Sequence, residues 1–210
     1  MSAMTIRKRM ITFFALLALI IIAAVIVWFV WDGQAEPLEV YDQISSFELE
    51  EVQTGQTYHS DNGKIKLLSF IFINCPDGVC PMTMQDYADI QEQLKEDGLF
   101  GTDVELVAIT FDPERDTTEA LRDYAQMFHP DPEGWKFLRG AEEDIQAVAD
   151  ELSYFYQVDE DGAGMHATTQ YIIDADHQIR AYHKMSSTEE SMDQEQILQD
   201  LNQLVREKNN

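Results

Sequence analysis

The chain has 210 residues and carries 39 acidic against 14 basic side chains, a formal net charge of −25 at pH 7. That length holds one ordinary domain plus a short extra segment. The charge excludes nucleic acid as a partner, because its phosphates repel so acidic a surface.

Residues 11–31 contain no charged side chain; Arg7, Lys8 and Arg9 precede them, and Asp32 and Glu36 follow. About 20 apolar residues span the hydrocarbon core of a bilayer, and a positive flank stays in the cytoplasm. A cleaved signal peptide has a shorter apolar core, roughly 7–15 residues, and a small-residue cleavage site, whereas this run ends in Trp28 and Trp31. The expected organisation is a cytoplasmic N-terminus over 1–10, a transmembrane helix over 11–31, a linker over 32–45 and a domain over 46–210. The last lies on the extracytoplasmic face of the cell membrane, held by a single pass.

Within that domain, residues 47–52 alternate, Gly55 turns the chain and residues 57–59 return, which predicts a hairpin. Residues 65–73 are nearly all apolar, as in a strand covered on both faces. A helix from Met82 to Leu94 follows, with Met84, Tyr87, Ile90 and Leu94 on one stripe. Residues 105–111 predict a second buried strand. After the loop Asp112-Pro113-Glu114-Arg115-Asp116, with Asp116 or Thr117 as cap, comes a helix with Leu121, Tyr124, Ala125 and Phe128 inward. A short strand over 135–138 and a helix over 142–152 come next. Residues 158–161 read as a solvated hairpin tip. A hairpin over 168–174 and 179–183 precedes a last helix over 189–208. This order predicts an α/β sheet with covering helices, and a cysteine-bearing loop after the first long buried strand fits a thioredoxin-like fold.

Cys75 and Cys80 are the only cysteines. They fall between a strand and a helix, where the helix N-terminus favours negative charge and lowers a thiol pKa. Thiols so placed suit redox exchange or a soft metal ion. In an exported domain a lone pair is by default a disulfide, but one closing so small a loop stabilises only modestly. Thiolates favour Cu(I), and imidazole suits copper in either oxidation state. Of the five histidines, His59, His129, His177 and His183 fall in ordinary surface contexts. His166 follows the glycine-bearing residues 161–164 and directly precedes an apolar strand. Among the methionines near these residues, Met84 belongs to the helical core stripe, while Met82 and Met165 stay open as contacts of a soft ion.

Three pieces of the chain resemble the Sco/SenC family of membrane-anchored copper proteins for cytochrome c oxidase assembly. Residues 70–81 are similar to its strand and Cys-Pro…Cys-Pro loop. Residues 108–117 resemble its Asp-Pro-x-Arg-Asp loop. Met165-His166-Ala167-Thr168, followed by residues 171–174, resembles its histidine, strand and turn. The resemblance implies a thioredoxin-like fold with an added N-terminal β-hairpin and a C-terminal hairpin and helix, preceded by one transmembrane helix. It implies a copper ion held by Cys75, Cys80 and His166. Asp112, Arg115 and Asp116 read first as capping the next helix and pinning their loop, and otherwise as orienting the site. The resemblance also implies a partner, cytochrome c oxidase subunit II, whose CuA centre such proteins help to assemble.

One departure stands out: Pro76, Asp77, Gly78 and Val79 separate the cysteines, one residue more than the family's usual loop, and Gly78 reads as the addition. Thioredoxin-type reductases carry a proline before the strand facing the cysteines, and this chain has Ala167-Thr168-Thr169 there. Three readings therefore stand: a copper metallochaperone; a membrane-tethered thiol–disulfide oxidoreductase using Cys75 and Cys80 as its redox pair; and an exported interaction domain with a structural disulfide.

Overall fold

A computed structural model describes residues 13–25, 36–159 and 164–209. The chain divides into two units, residues 1–37 and 38–210. In the first, residues 13–25 form a helix (α1) whose large side chains, Phe13 and Ile20 among them, are exposed. Among the described residues no helix is long and apolar enough to cross a membrane. The expected anchor, 11–31, runs outside the described residues at both ends.

The second unit is built on an eight-stranded mixed sheet. Its strands are β1 (Asp42–Gln43), β2 (Glu48–Glu51), β3 (Gln56–His59), β4 (Ile65–Ile71), β5 (Val104–Thr110), β6 (Trp135–Arg139), β9 (Thr169–Ile173) and β10 (Gln178–Lys184). They lie in the order β1-β10-β9-β4-β5-β6-β2-β3. The helices are α2 (Val79–Glu96), α3 (Thr118–Gln126), α4 (Glu142–Glu151) and α5 (Gln194–Lys208), and a separate ribbon pairs β7 (Tyr156–Val158) with β8 (Gly164–His166).

β4 runs parallel to β5, and β5 to β6. Every residue of β4 and β5 is buried, which explains their continuous apolar runs: parallel strands joined by helical crossovers are covered on both faces. Each large apolar side chain so buried contributes about 1.5–3 kcal/mol; Phe70, Phe72, Phe111, Trp135 and Phe137 are among the largest of them. The polar exceptions are satisfied. Buried Glu105 accepts from Lys64 Nζ (2.9 Å), Asn62 Nδ2 (2.8 Å) and Tyr58 Oη (3.0 Å).

The sequence reading did not expect the strands of the β7–β8 ribbon, and it departs from the structure in three further places. Residues 38–45, expected in the linker, belong to the folded unit: Tyr41 and Ile44 donate backbone bonds to Ile179 O (2.9 Å) and His177 O (3.0 Å), and Ile44 is buried. The two-residue β1 is too short to show a period, and its anchor is remote in sequence, since Arg180 Nη2 reaches Leu38 O at 2.6 Å. Second, α2 begins at Val79, which draws Cys80 into its first turn. Third, α5 begins at Gln194, capped by Asp193 Oδ1 accepting from Gln196 N at 3.0 Å.

Candidate metal centre

Phe72 and Phe111 directly follow the carboxyl ends of β4 and β5, where open α/β sheets place their sites. Beyond Phe72 the chain is latched by a neighbouring loop: Asp116 Oδ2 accepts from Ile73 N (3.2 Å) and Thr110 Oγ1 (2.5 Å). Burial pushes the Asp116 carboxyl up to about 6, against those two hydrogen bonds.

The loop then turns on Gly78, which has φ +75° and serves as the N-cap of α2. Only glycine takes that left-handed conformation without penalty, so the residue read from the sequence as the addition sits where the chain turns into the helix. Asp77 Oδ1 accepts from Val79 N (3.1 Å) and from Cys75 Sγ (2.9 Å), and Cys80 N donates to Cys75 Sγ at 3.3 Å. Both cysteines are free thiols; Cys75 is half-buried and Cys80 fully buried.

His166 arrives from the other side. β9 is antiparallel to β4, so its start lies beside the end of β4, and the β7–β8 ribbon just before it delivers residue 166 over the cysteine loop. Gly164 serves here by its size: a Cβ would stand 3.2 Å from Gln157 O. The imidazole packs against both Phe72 and Phe111, with ring centroids at 5.6 and 5.4 Å. Its Nδ1 is 2.8 Å from Ala167 O and 3.2 Å from Tyr154 Oη. Its Nε2 is buried without a hydrogen-bond partner.

One ligand atom each from Cys75, Cys80 and His166 lie within 4.8 Å of one another. The electrostatics are asymmetric. The Cys80 thiol, hydrogen-bonding to its neighbour, brings Cys75 down to about 6 despite burial, with His166 assisting. The same bond and burial push Cys80 well up. Burial disfavours a charged His166, but Cys75 beside it and the Ala167 carbonyl prevail and raise it. Two sulfurs and one bare imidazole nitrogen form a soft donor set of the kind that takes a copper ion.

The other expected residues fall around this centre. Asp112 pairs with Arg115 at 3.2 Å, and Arg115 Nη2 donates to Asp159 O at 3.1 Å, tying the Asp-Pro loop to the ribbon that carries His166. Met84 is core. The Met82 methyl would lie 3.8 Å from a Cβ on Gly78, and Met165 is exposed on β8. His59, His177 and His183 are engaged with Glu48, Ser60 and Asp200, and His129 is exposed. Sequence reasoning missed Tyr154: Leu152-Ser153-Tyr154 reads as the end of a helix, and nothing local marks its hydroxyl as aimed at a ring twelve residues on.

A mixed sheet with a dithiol at its carboxyl end and an imidazole brought over it defines a thioredoxin-like protein equipped to hold a soft metal ion. The profile of the SCO1/SenC family matches residues 36–206, and the chain belongs to that family. It is 35% identical over 150 residues to an SCO2-like protein of Rickettsia conorii, covering 67% of this chain and 70% of the relative. Its fold is similar to a SCO1/SenC family lipoprotein from Bacillus anthracis (27% identity, TM-score 0.70, 82% of this chain and 99% of that one). It is also similar to Arabidopsis thaliana ScoI, solved with copper bound (28% identity, TM-score 0.62, 76% and 98%).

Proposed function

We propose that this protein is a copper-binding assembly factor for the CuA centre of cytochrome c oxidase. One copper ion is its cargo, held by Cys75 Sγ, Cys80 Sγ and His166 Nε2. The carrying observation is the union of two free thiols with a buried, unpartnered imidazole nitrogen, all three groups within 4.8 Å. An unsatisfied buried polar atom costs about 1–3 kcal/mol, and a metal ion removes that penalty here. Relatives support the identity of the ion, one of them solved with copper bound. On this reading residues 11–31 anchor the chain in the cell membrane with the domain on the extracytoplasmic face, and the partner is oxidase subunit II. Asp112 and Arg115 hold the histidine ribbon to the Asp-Pro loop.

Titration of reduced full-length protein with Cu(I), followed by X-ray absorption, tests the reading. One equivalent is expected to bind with sulfur and nitrogen ligation, and His166→Ala is expected to lose the nitrogen. Unchanged ligation in His166→Ala would defeat it.

A second reading, a thiol–disulfide oxidoreductase acting on an oxidase subunit, is favoured by one observation: Cys75 is accessible while Cys80 is fully buried, the asymmetry of an attacking and a resolving thiol. It requires disulfide reduction in a partner peptide that survives His166→Ala and is lost in Cys75→Ser.

A further inference from the structure

We infer that Tyr154 is a positioning residue for the metal centre: its hydroxyl fixes the Ala167 carbonyl that takes the Nδ1 proton of His166, so that the bare nitrogen, Nε2, faces the sulfurs. This rests on the copper reading above and extends it to a residue outside the ligand set.

The argument is one of donors and acceptors. Ala167 O lies 2.8 Å from Tyr154 Oη and 2.8 Å from His166 Nδ1. A carbonyl oxygen has two lone pairs and no proton, so it only accepts. Both neighbours must therefore donate to it. The tyrosine hydroxyl spends its one proton on the carbonyl, and its oxygen, 3.2 Å from Nδ1, presents lone pairs to the ring N–H. Nδ1 carries the proton and Nε2 does not. The hydrogen bond made by one ring nitrogen sets which nitrogen is free to ligate.

Tyr154 is well placed for this. The chain turns at Ser153, φ +52°, and Tyr154 N is tied to Ala149 O at 2.8 Å. The ring is stacked on Phe70 at 4.4 Å and 24°, and is only 4% exposed. Ala167 lies between β8 and β9, outside both strands; its amide donates to Phe155 O at 2.8 Å, and its carbonyl accepts from the tyrosine at 2.8 Å. Phe72 and Phe111 fix the plane of the imidazole. Apolar rings do not distinguish one tautomer from the other; the Tyr154–Ala167 pair does.

Tyr154→Phe keeps the stacked ring and removes only the hydroxyl. In reduced, metal-free, full-length protein with 15N-labelled histidine, above the pH at which His166 titrates, the wild type is expected to show His166 in the Nδ1–H form alone. The variant is expected to show a mixture of both tautomers. Cu(I) affinity, read by competition with a chromophoric Cu(I) chelator, is expected to fall about 10–100-fold in Tyr154→Phe, the usual effect of losing such a supporting contact, with an unchanged melting temperature. An Nε2–H ring in the wild type overturns the inference, as does a variant with wild-type tautomer and affinity. If Tyr154→Phe does not fold, the wild-type spectrum still decides. If wild type and His166→Ala bind Cu(I) alike, the copper reading fails, while the tautomer spectra judge the role of Tyr154 separately.

Discussion

Cys75 and Cys80 differ more than their shared loop implies. Cys75 sits in the turn with Asp77 and the Cys80 amide within reach, while Cys80 is buried in the first turn of α2. The ordinary thiol value is 9.0, and Cys75 is brought down to about 6. A lowered thiol pKa means that the thiolate persists as pH falls, until the folded value is reached. The rate of iodoacetamide alkylation at Cys75 in reduced, metal-free protein is therefore expected to be near its plateau at neutral pH and to fall only as pH drops through about 6. Cys80 is expected to stay unmodified. Mass spectrometry of single and double adducts across pH checks both statements, and Cys80→Ala is expected to move the profile upward because it removes the donated hydrogen bond. The cysteines were visible in the sequence. Tyr154 was not, because its contact with His166 exists only after the ribbon has folded back. Only its place before an apolar strand set His166 apart from four other histidines, and reading it as the third donor rested on the family resemblance.

Among the elements, the turn into α2 holds the four residues between the cysteines, read from the sequence as one more than the family's usual loop. Gly78 has room for a side chain, its nearest neighbour being the Met82 methyl at 3.8 Å. What it lacks is a backbone alternative, because φ +75° is left-handed and costs other residues roughly 1–2 kcal/mol. Gly78→Ala is expected to lower unfolding free energy by about that amount in a urea melt. An unchanged midpoint would mean that the turn relaxes to another shape. β4 and β5 were legible because burial on both faces leaves a nearly all-apolar run. β7 and β8, three residues each, are too short to carry a period. Only the acidic hairpin tip between them was expected, and His166, read as lying before a strand, is the last residue of one.

For the whole molecule, the boundary of the folded unit is the informative quantity. It begins at Leu38, eight residues before the domain start read from the sequence. The early segment is joined to the far edge of the sheet: Arg180 bonds Leu38 O, Asp174 and Glu207 together. The fragment 38–210 is expected to melt like the domain of the full chain. The fragment 46–210 loses β1 and the buried Ile44, and is expected to be less stable by about 2 kcal/mol, the worth of one buried aliphatic side chain. Equal midpoints for the two fragments would show that the edge strand adds nothing. That boundary escaped the sequence because a two-residue strand leaves no pattern and its partners lie at the opposite end of the chain.

The three donor groups come from a loop, a helix and a late ribbon. A chain emerging from its N-terminus therefore displays both thiols before the ring that completes the set exists in space. Any nascent form is a bare dithiol, open to oxidants, and acquires its third donor only when the last strands close. A soft ion that needs all three donors can therefore be held only once folding has brought the late ribbon over the loop.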